Sequence, residues 1–287
     1  MSTELSVTVI VLNWNGKELT IKCLESLKKV NYSNFNILVV DNGSTDGSVD
    51  TLKEKFPDVS VLALENNLGY ASGNNRGFDS LESDPPKFVI FLNNDTIVDV
   101  NFIEPLVKQL LTKKHAGQTV PKIYYENDPK LIWYAGGIVN LWTGSIYHLG
   151  IRQNDGPGYS KTHKTKYATG CCFCMRYEEF KEFGGFDENF PMYSEDVDLS
   201  LWIRSAGKQV WFVPDSKIWH KVSASIGGEF SFGKLVRKAR GIFLLVKKHA
   251  NPIQWITITI FSPIQVIMII IKSVSYTHLR AHETEDE

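Results

Sequence analysis

The sequence predicts an α/β protein built on a parallel sheet flanked by helices. Two observations carry that prediction. Short runs of β-branched and aliphatic residues alternate with longer stretches whose apolar positions recur at helical spacing, the order that parallel strands with right-handed crossovers require. Each early strand-like run also ends in a cluster of Asn, Asp, Ser or Gly. In open α/β sheets ligands bind at those carboxyl ends.

The elements follow in order. Residues 7–12 read as a buried strand, bounded by Asn13, Asn15 and Gly16. Residues 19–27 place Ile21, Cys23, Leu24 and Leu27 on one helical face. A strand over 35–40 runs into Asp41-Asn42-Gly43-Ser44, and a short helix follows over 48–56. A strand over 59–64 precedes the glycine- and asparagine-rich stretch 66–77, read as a loop. A strand over 88–92 ends in Asn93-Asn94-Asp95. Four polar clusters thus converge on one edge of the sheet.

Residues 122–166 are less regular and predict a mixed antiparallel part with a mobile loop around 152–166. Beyond it lie a strand over 171–176, a helix over 177–183, a helix over 194–206 opening on Glu195-Asp196, and a strand over 209–213 followed by Ile218-Trp219-His220.

Composition narrows the function. The 287 residues are 43% apolar, 22% charged and 12% aromatic, which excludes disorder, collagen and a disulfide scaffold. With 31 basic and 32 acidic residues the net charge is -1, so no global attraction to nucleic acid is expected. Three of the four cysteines, Cys171, Cys172 and Cys174, crowd together away from Cys23. That spacing suits reduced thiols in the cytosol better than a disulfide framework. The start MSTELSVTVIVLNW lacks a basic segment and a small-residue cleavage site, and reads as a strand rather than a secretory signal.

The C-terminal part differs. Residues 234–248 hold six basic side chains, Lys234, Arg237, Lys238, Arg240, Lys247 and Lys248, and no acid. Residues 253–271 then run 19 residues without a charge. As a helix that run would span about 28 Å, near one hydrocarbon core. Its Gln, Thr, Ser and Pro residues dilute it, leaving a crossing, a monotopic helix and a buried helix all open. The basic flank favours the cytoplasmic side of an anionic membrane. The last residues contain SYTHLRAHET, a string that resembles a translated sequencing adapter, and 273–287 are expected to be a non-native or disordered tail.

Several constellations bear on chemistry. Asp41 at a strand tip suits a base N–H or a ribose hydroxyl, while Ser44, Thr45 and Asp46 also suit helix capping. The stretch ENNLGYASGNNRGF lets backbone approach a ribose or diphosphate, with Arg76 open to a phosphate or to a carboxylate. It lacks the ending of a P-loop, and no G-x-G-x-x-G follows the first strand, which excludes ATPase and dinucleotide-dehydrogenase readings. Asn93 and Asp95 offer oxygen ligands for Mg²⁺ or Mn²⁺, or simply make a turn. His220 is the second ligand of choice, against a structural role. Glu195, Asp196 and Asp198 stabilise a helix start or supply a general base.

Together the strings VIVLNWNG, VVDNGSTDGS, NNLGYASGNNRG, FLNNDT, GGFDENFPMYSEDVDLSLWIRSAG and IWHKVSASIGG resemble the family 2 inverting glycosyltransferases, specifically the rhamnosyltransferase-like branch. The resemblance implies the GT-A fold: a mixed central sheet flanked by helices. It implies a catalytic domain over 1–228, followed here by a membrane-associated helical region over 229–272. Leu12, Asn13 and Asp41 match the positions that hold base and ribose; Asn67, Gly69 and Asn74 match the loop over the nucleotide. Asn93 and Asn94 match the start of the family's D-x-D element, with Asn93 in place of its first Asp. Asp95 and His220 match the metal contacts, Asp196 the catalytic base, and Trp219 with residues 223–228 a segment near the acceptor.

The implied reaction moves one sugar, rhamnose first, from a dTDP- or UDP-sugar to a glycan or lipid-linked saccharide at the inner face of a bacterial membrane. A sugar-phosphate nucleotidyltransferase is the enzymatic rival. It would carry a glycine-rich basic loop after the first strand, where this chain has only Lys17. A processive synthase would show Q-x-x-R-W and several strong spans, which are missing from the sequence. An inactive sugar-nucleotide binding module is the third reading, opposed by the intact Asp95, Asp196 and His220.

Overall fold

The computed structural model describes residues 5–190, 192–222 and 232–261. The first half alternates as expected: β1 (Val7–Asn13), α1 (Lys17–Leu27), β2 (Phe35–Asp41), α2 (Ser48–Lys55), β3 (Ser60–Ala63), α3 (Gly69–Asp79), β4 (Phe88–Asn93), β5 (Thr96–Val98) and α4 (Ile103–Thr112). A β-rich part follows with β6 (Ala116–Tyr125), β7 (Leu131–Tyr134), β8 (Gly137–Asn140), β9 (Ser145–His148), β10 (Gln153–Asn154) and β11 (His163–Thr165). The described chain closes with β12 (Cys172–Arg176), α5 (Tyr177–Glu182), α6 (Glu195–Ser205), β13 (Gln209–His220) and α7 (Phe232–His249), and a helix over 252–261.

The sheet order is β10-β7-β6-β12-β4-β1-β2-β3, with β13 on β6 and also pairing β5 and β11. The β3–β2–β1–β4 side is parallel, as is the pairing of β13 with β6; β12 joins β4 antiparallel. The parallel sheet expected from element order is therefore mixed. The reason is a long-range one: β12 arrives after the β-rich excursion and enters from the opposite direction, which strand composition does not encode.

Three further expectations change. Residues 69–79 form α3 rather than a loop. Gly73 and Gly77 stand one helical turn apart, and a Cβ at either would fall 2.7 Å from Leu12 Cδ1 or 2.5 Å from Val40 Cγ2. The glycines let the helix lie against the sheet, and that packing overrides their low helix propensity. The stretch 152–166 carries β10, a 3₁₀ turn at Pro157–Tyr159 and β11, and the buried Lys122 ammonium pins it by a 2.7 Å bond to Asp155. The strand expected over 209–213 continues to His220, while α4, β5 and the ten-residue β6 were not foreseen.

The core joins these parts. Phe91 of β4 packs on Phe173, Phe180 and Phe186 with centroids 4.6–5.2 Å apart, so α5 and the turn after it sit directly on the central strands. Residues 223–228 and 262–287 lie outside the described residues, and with them most of the apolar run 253–271. Among the described residues no helix is long and apolar enough to cross a membrane.

Candidate active site

Strand register assembles the first wall. β1 and β2 end side by side, Asn13 opposite Asp41, and Leu12 lies opposite Asn93 of β4. Asn13 donates to Asp41 Oδ2 at 2.7 Å, and Ser44 N donates to Asp41 Oδ1 at 2.9 Å. Asn94 donates to Asn13 Oδ1 at 3.0 Å and to Thr20 at 2.9 Å. Asp41 is buried. Both its oxygens already accept a protein hydrogen, and each keeps a lone pair for a ligand. Beside this network the Trp14 indole is 43% exposed.

The second wall is the turn into α3. Asn42 donates to Asn67 Oδ1 and to Gly69 O, each at 3.0 Å, and accepts from Leu68 N at 2.9 Å. Gly43 has φ +73°, and a Cβ there would meet the Asn66 carbonyl carbon at 2.6 Å. Only glycine permits that approach. Asn74 is buried and donates to Tyr70 O at 3.0 Å within its own helix, so it shapes α3 from inside.

The pair Asp95 and His220 meets because β5 reverses direction immediately after β4. β5 pairs antiparallel with the end of β13, His220 opposite Thr96, and Lys221 N bonds Asp95 O at 2.9 Å. This brings His220 Nε2 to 3.1 Å from Asp95 Oδ1. Both residues are 8% exposed. Yet Asp95 Oδ1 and His220 Nδ1 have no properly aligned hydrogen-bond partner among the described residues. An unsatisfied buried carboxylate oxygen with an imidazole Nε2 at 3.1 Å is a donor set that fits a divalent cation. No group of three or more His, Cys, Asp or Glu side chains suited to a metal occurs among the described residues. A cation held by this pair would need substrate oxygens and water to complete its coordination. Asn93 contributes its carbonyl to the turn, accepting from Thr96 Oγ1 at 2.6 Å.

The third component comes from α6. The half-buried Asp196 carboxylate accepts from Gly170 N at 2.7 Å and from Val197 N at 2.8 Å. Gly170 is held in turn by Tyr70 of α3, whose hydroxyl donates to Gly170 O at 2.6 Å. One residue on, Cys171 O accepts from Asn93 N at 2.9 Å, which ties this carboxylate to the strand edge bearing Asp95. Glu195 is buried, and its Oε2 has no partner among the described residues.

The two adjacent acids therefore differ. Burial, then the Asp196 charge, pushes Glu195 up to about 8. Burial also raises Asp196, while the Gly170 and Val197 amides oppose that rise. Two amides favour the charged form of Asp196, and Glu195 Oε2 has no such donor among the described residues, a difference set by environment. The backbone entering α6 is unusual, with left-handed Tyr193 (φ 73°) and Ser194 (φ 77°). All four cysteines are buried, and burial raises their pKa values, leaving inert thiols.

The structure thus links Asp41 to Asn13, Asn13 to Asn94, Asp95 to His220, and Asp196 to the Gly170–Cys171 backbone beside Asn93. The sequence reading overlooked Tyr70, Asn42, Thr20 and Gly170. Tyr70 and Asn42 stand inside the quoted motif strings, but no spacing rule shows a tyrosine reaching a glycine 100 positions away. Lys17, which kept a nucleotidyltransferase in play, donates to the Asp46 carbonyl at 3.1 Å.

A parallel strand edge, a carboxylate–histidine pair and one amide-held carboxylate at a helix start are the layout of a GT-A sugar transferase. The sequence model described as Glycosyl transferase family 2 matches residues 8–184, and the chain belongs to that family of glycosyltransferases. It is similar to the N-acetylglucosaminyl-diphospho-decaprenol L-rhamnosyltransferase of Mycobacterium tuberculosis, with 26% identity over 88% of this chain and 89% of that protein. It is similar to the rhamnosyltransferase WbbL of Escherichia coli K12, with 24% identity over 72% of this chain and 80% of that one. Among solved structures, GalNAc-T7 with UDP, GalNAc and Mn²⁺ superposes with a TM-score of 0.67 at 19% identity, covering 86% of this chain and 48% of that one. The mannosyltransferase PcManGT of Pyrobaculum calidifontis, in complex with GDP-Man and Mn²⁺, gives 0.62 at 18% identity, covering 90% of this chain and 70% of that one. These structures share the fold.

Proposed function

We propose that the protein is an inverting rhamnosyltransferase that takes the sugar from a dTDP- or UDP-linked donor and adds it to a lipid-linked saccharide in surface-polysaccharide assembly. The observation that carries the chemistry is the Asp196 carboxylate, aimed by two backbone amides and linked through Gly170 and Cys171 to the edge that holds Asp95 and His220. Rhamnose and the lipid-linked acceptor are supported by the similarity to the mycobacterial enzyme along most of both chains.

The reaction is a single displacement. The acceptor hydroxyl oxygen bonds to the anomeric carbon, and its proton passes to Asp196. The bond to the diphosphate oxygen breaks on the opposite face, its electron pair leaving with the nucleoside diphosphate, and configuration inverts. Asp196 suits the proton: burial raises its pKa above that of a free carboxylate, so it is a stronger base. Asp95 and His220 would hold a Mg²⁺ or Mn²⁺ ion, whose chemistry is to neutralise charge developing on the diphosphate. No protein acid is then needed on the leaving group, unlike a glycosidase with its two flanking carboxyls. Asn13 and Asp41 form the floor under the nucleoside, the Trp14 face suits its base, and Asn42 holds the 67–69 turn beside it.

The site of action is proposed as the cytoplasmic membrane surface. α7 and the 252–261 helix contain no acid. They expose Val236, Phe243, Ile253, Ile256 and Ile260 beside the exposed Lys238, Arg240 and Lys247. An apolar face with a cationic border suits anionic lipid.

The test is a thermal-shift screen of dTDP- and UDP-sugars with and without Mn²⁺. Transfer from dTDP-rhamnose to an N-acetylglucosaminyl-diphospho-polyprenol is then assayed. Stabilisation by a nucleotide sugar that deepens with Mn²⁺, followed by disaccharide-lipid product, is expected. Pyrophosphate release from a nucleoside triphosphate and a sugar phosphate would overturn the reading.

A further inference from the structure

Both α6 and α7 lie beyond the matched family region, which ends at residue 184, and α7 packs on the helix that carries Asp196. Lys248 Nζ lies 2.8 Å from Asp198 Oδ2 and 2.7 Å from Asp187 Oδ2. His249 Nε2 lies 2.7 Å from Asp198 Oδ1. Asp198 is 2% exposed and sits two residues after Asp196 in the first turn of α6. Both its oxygens are thus engaged by α7, and Lys248 also ties α6 to the turn at Asp187.

A second contact region lies on the same helix. At Gly241 a Cβ would come within 2.5 Å of Tyr193 O and 3.1 Å of Ser194 Oγ, so α7 packs backbone-close on the two left-handed residues that lead into α6. The Lys238 ammonium stands 5.4 Å from the Tyr193 ring centroid, within cation–π range. Left-handed non-glycine residues persist where the surroundings over-determine them. Here α7 supplies those surroundings on one side of Asp196, and the Asp198 pair fixes the other.

We propose that Lys248 and His249 are positioning residues of the transfer reaction: by gripping Asp198 they hold the first turn of α6 and so set the direction of the Asp196 carboxylate. The inference rests on the reading of Asp196 as general base. Neither side chain touches the reacting atoms. Their effect runs through α6, and it ties the base to the same helix that exposes the cationic and apolar surface. Displacing a base by a fraction of an ångström weakens the chemical step more than donor binding.

Three variants and three readouts test it. In Lys248→Met the kcat for transfer from dTDP-rhamnose to N-acetylglucosaminyl-diphospho-polyprenol is expected to fall about tenfold with donor KM within about twofold. Amide hydrogen exchange over 192–200 is expected to accelerate while β1 and β4 stay protected. Lys248→Met also leaves a buried Asp198 charge short of a partner, which lowers stability by itself. The double variant Lys248→Met/Asp198→Asn removes that charge: thermal stability should recover, while kcat and the fast exchange over 192–200 should not. Recovery of kcat together with stability would show that Lys248 serves stability alone and would overturn the inference, as would unchanged exchange over 192–200 in the single variant. Asp196→Asn separates the two levels: if it retains transfer, the general-base reading fails. If it abolishes transfer while Lys248→Met is unaffected, only the positioning role fails. The exchange measurement needs no substrate and stands even if another donor proves correct.

Discussion

The proposed nucleoside side and the proposed reacting side of the site are built on different rules. At the ends of β1 and β2 the polar side chains are partnered: Asn13 with Asp41, Asn94 with Asn13 and Thr20, Asn42 with Asn67 and the Gly69 carbonyl. Around the proposed metal contacts and base, Asp95 Oδ1, His220 Nδ1 and Glu195 Oε2 are buried without a partner among the described residues. An unmet buried polar group costs about 1–3 kcal/mol. The first arrangement fixes the shape of a binding surface before any ligand arrives. The second retains unmet polar groups where a substrate, an ion or a proton is to supply the missing interaction.

Substitutions can break this contrast. The largest effect is expected from Asp196→Asn, which keeps the side chain's size, leaves one acceptor for the two amides and removes the base. Turnover should fall by about 10³-fold, with donor affinity by calorimetry changed less than about twofold. A variant with normal turnover and weak donor binding would move Asp196 to the nucleoside side. His220→Ala comes next, with roughly a 100-fold loss in kcat/KM. It should also erase the Mn²⁺ dependence of the donor thermal shift, because Asp95 alone is a poor site.

On the nucleoside side the pattern should invert. Asp41→Asn removes one charge from a satisfied network, so donor Kd should weaken about tenfold while kcat at saturation holds. A drop confined to kcat would contradict the division between the two sides.

The smallest effect concerns Glu195, and it reads out in stability. Its folded pKa lies above its unfolded value, so the folded state binds more protons between the two. The stabilisation is complete below the ordinary glutamate range and is lost as pH rises through about 8. Glu195→Gln removes that slope. Its melting temperature should match the parent's trend in acid and overtake it between pH 6 and about 8. Parallel melting curves across that range would mean that Glu195 is ionised in the folded protein.

The nucleoside side is also the part most legible in the sequence. β1, β2 and β4 are apolar runs stopped by Asn13, Asp41 and Asn93, and side-by-side parallel strands bring such stops together without further information. The turn into α3 was half legible. Asn67 and Gly69 stand in that turn, held by Asn42, but the helix that begins at Gly69 was hidden because its glycines serve close packing on β1 and β2. On the reacting side the residue types were visible and their meeting was not. His220 reaches Asp95 only because β13 runs far past Val213 to pair with β5, and β5 itself has just three residues. Tyr70 and Gly170 carried no periodic signal at all.

The sequence by itself determined the alternation of strands and helices, the polar ends of the early strands and the motif order that identifies the family, because these depend on residue type and short spacing. Tertiary structure decided the antiparallel entry of β12, the contact of Asp95 with His220, the suspension of Asp196 from Gly170 and the grip of α7 on Asp198. Each of those is a contact between residues far apart in the chain, fixed by how strands register and helices pack rather than by any local preference.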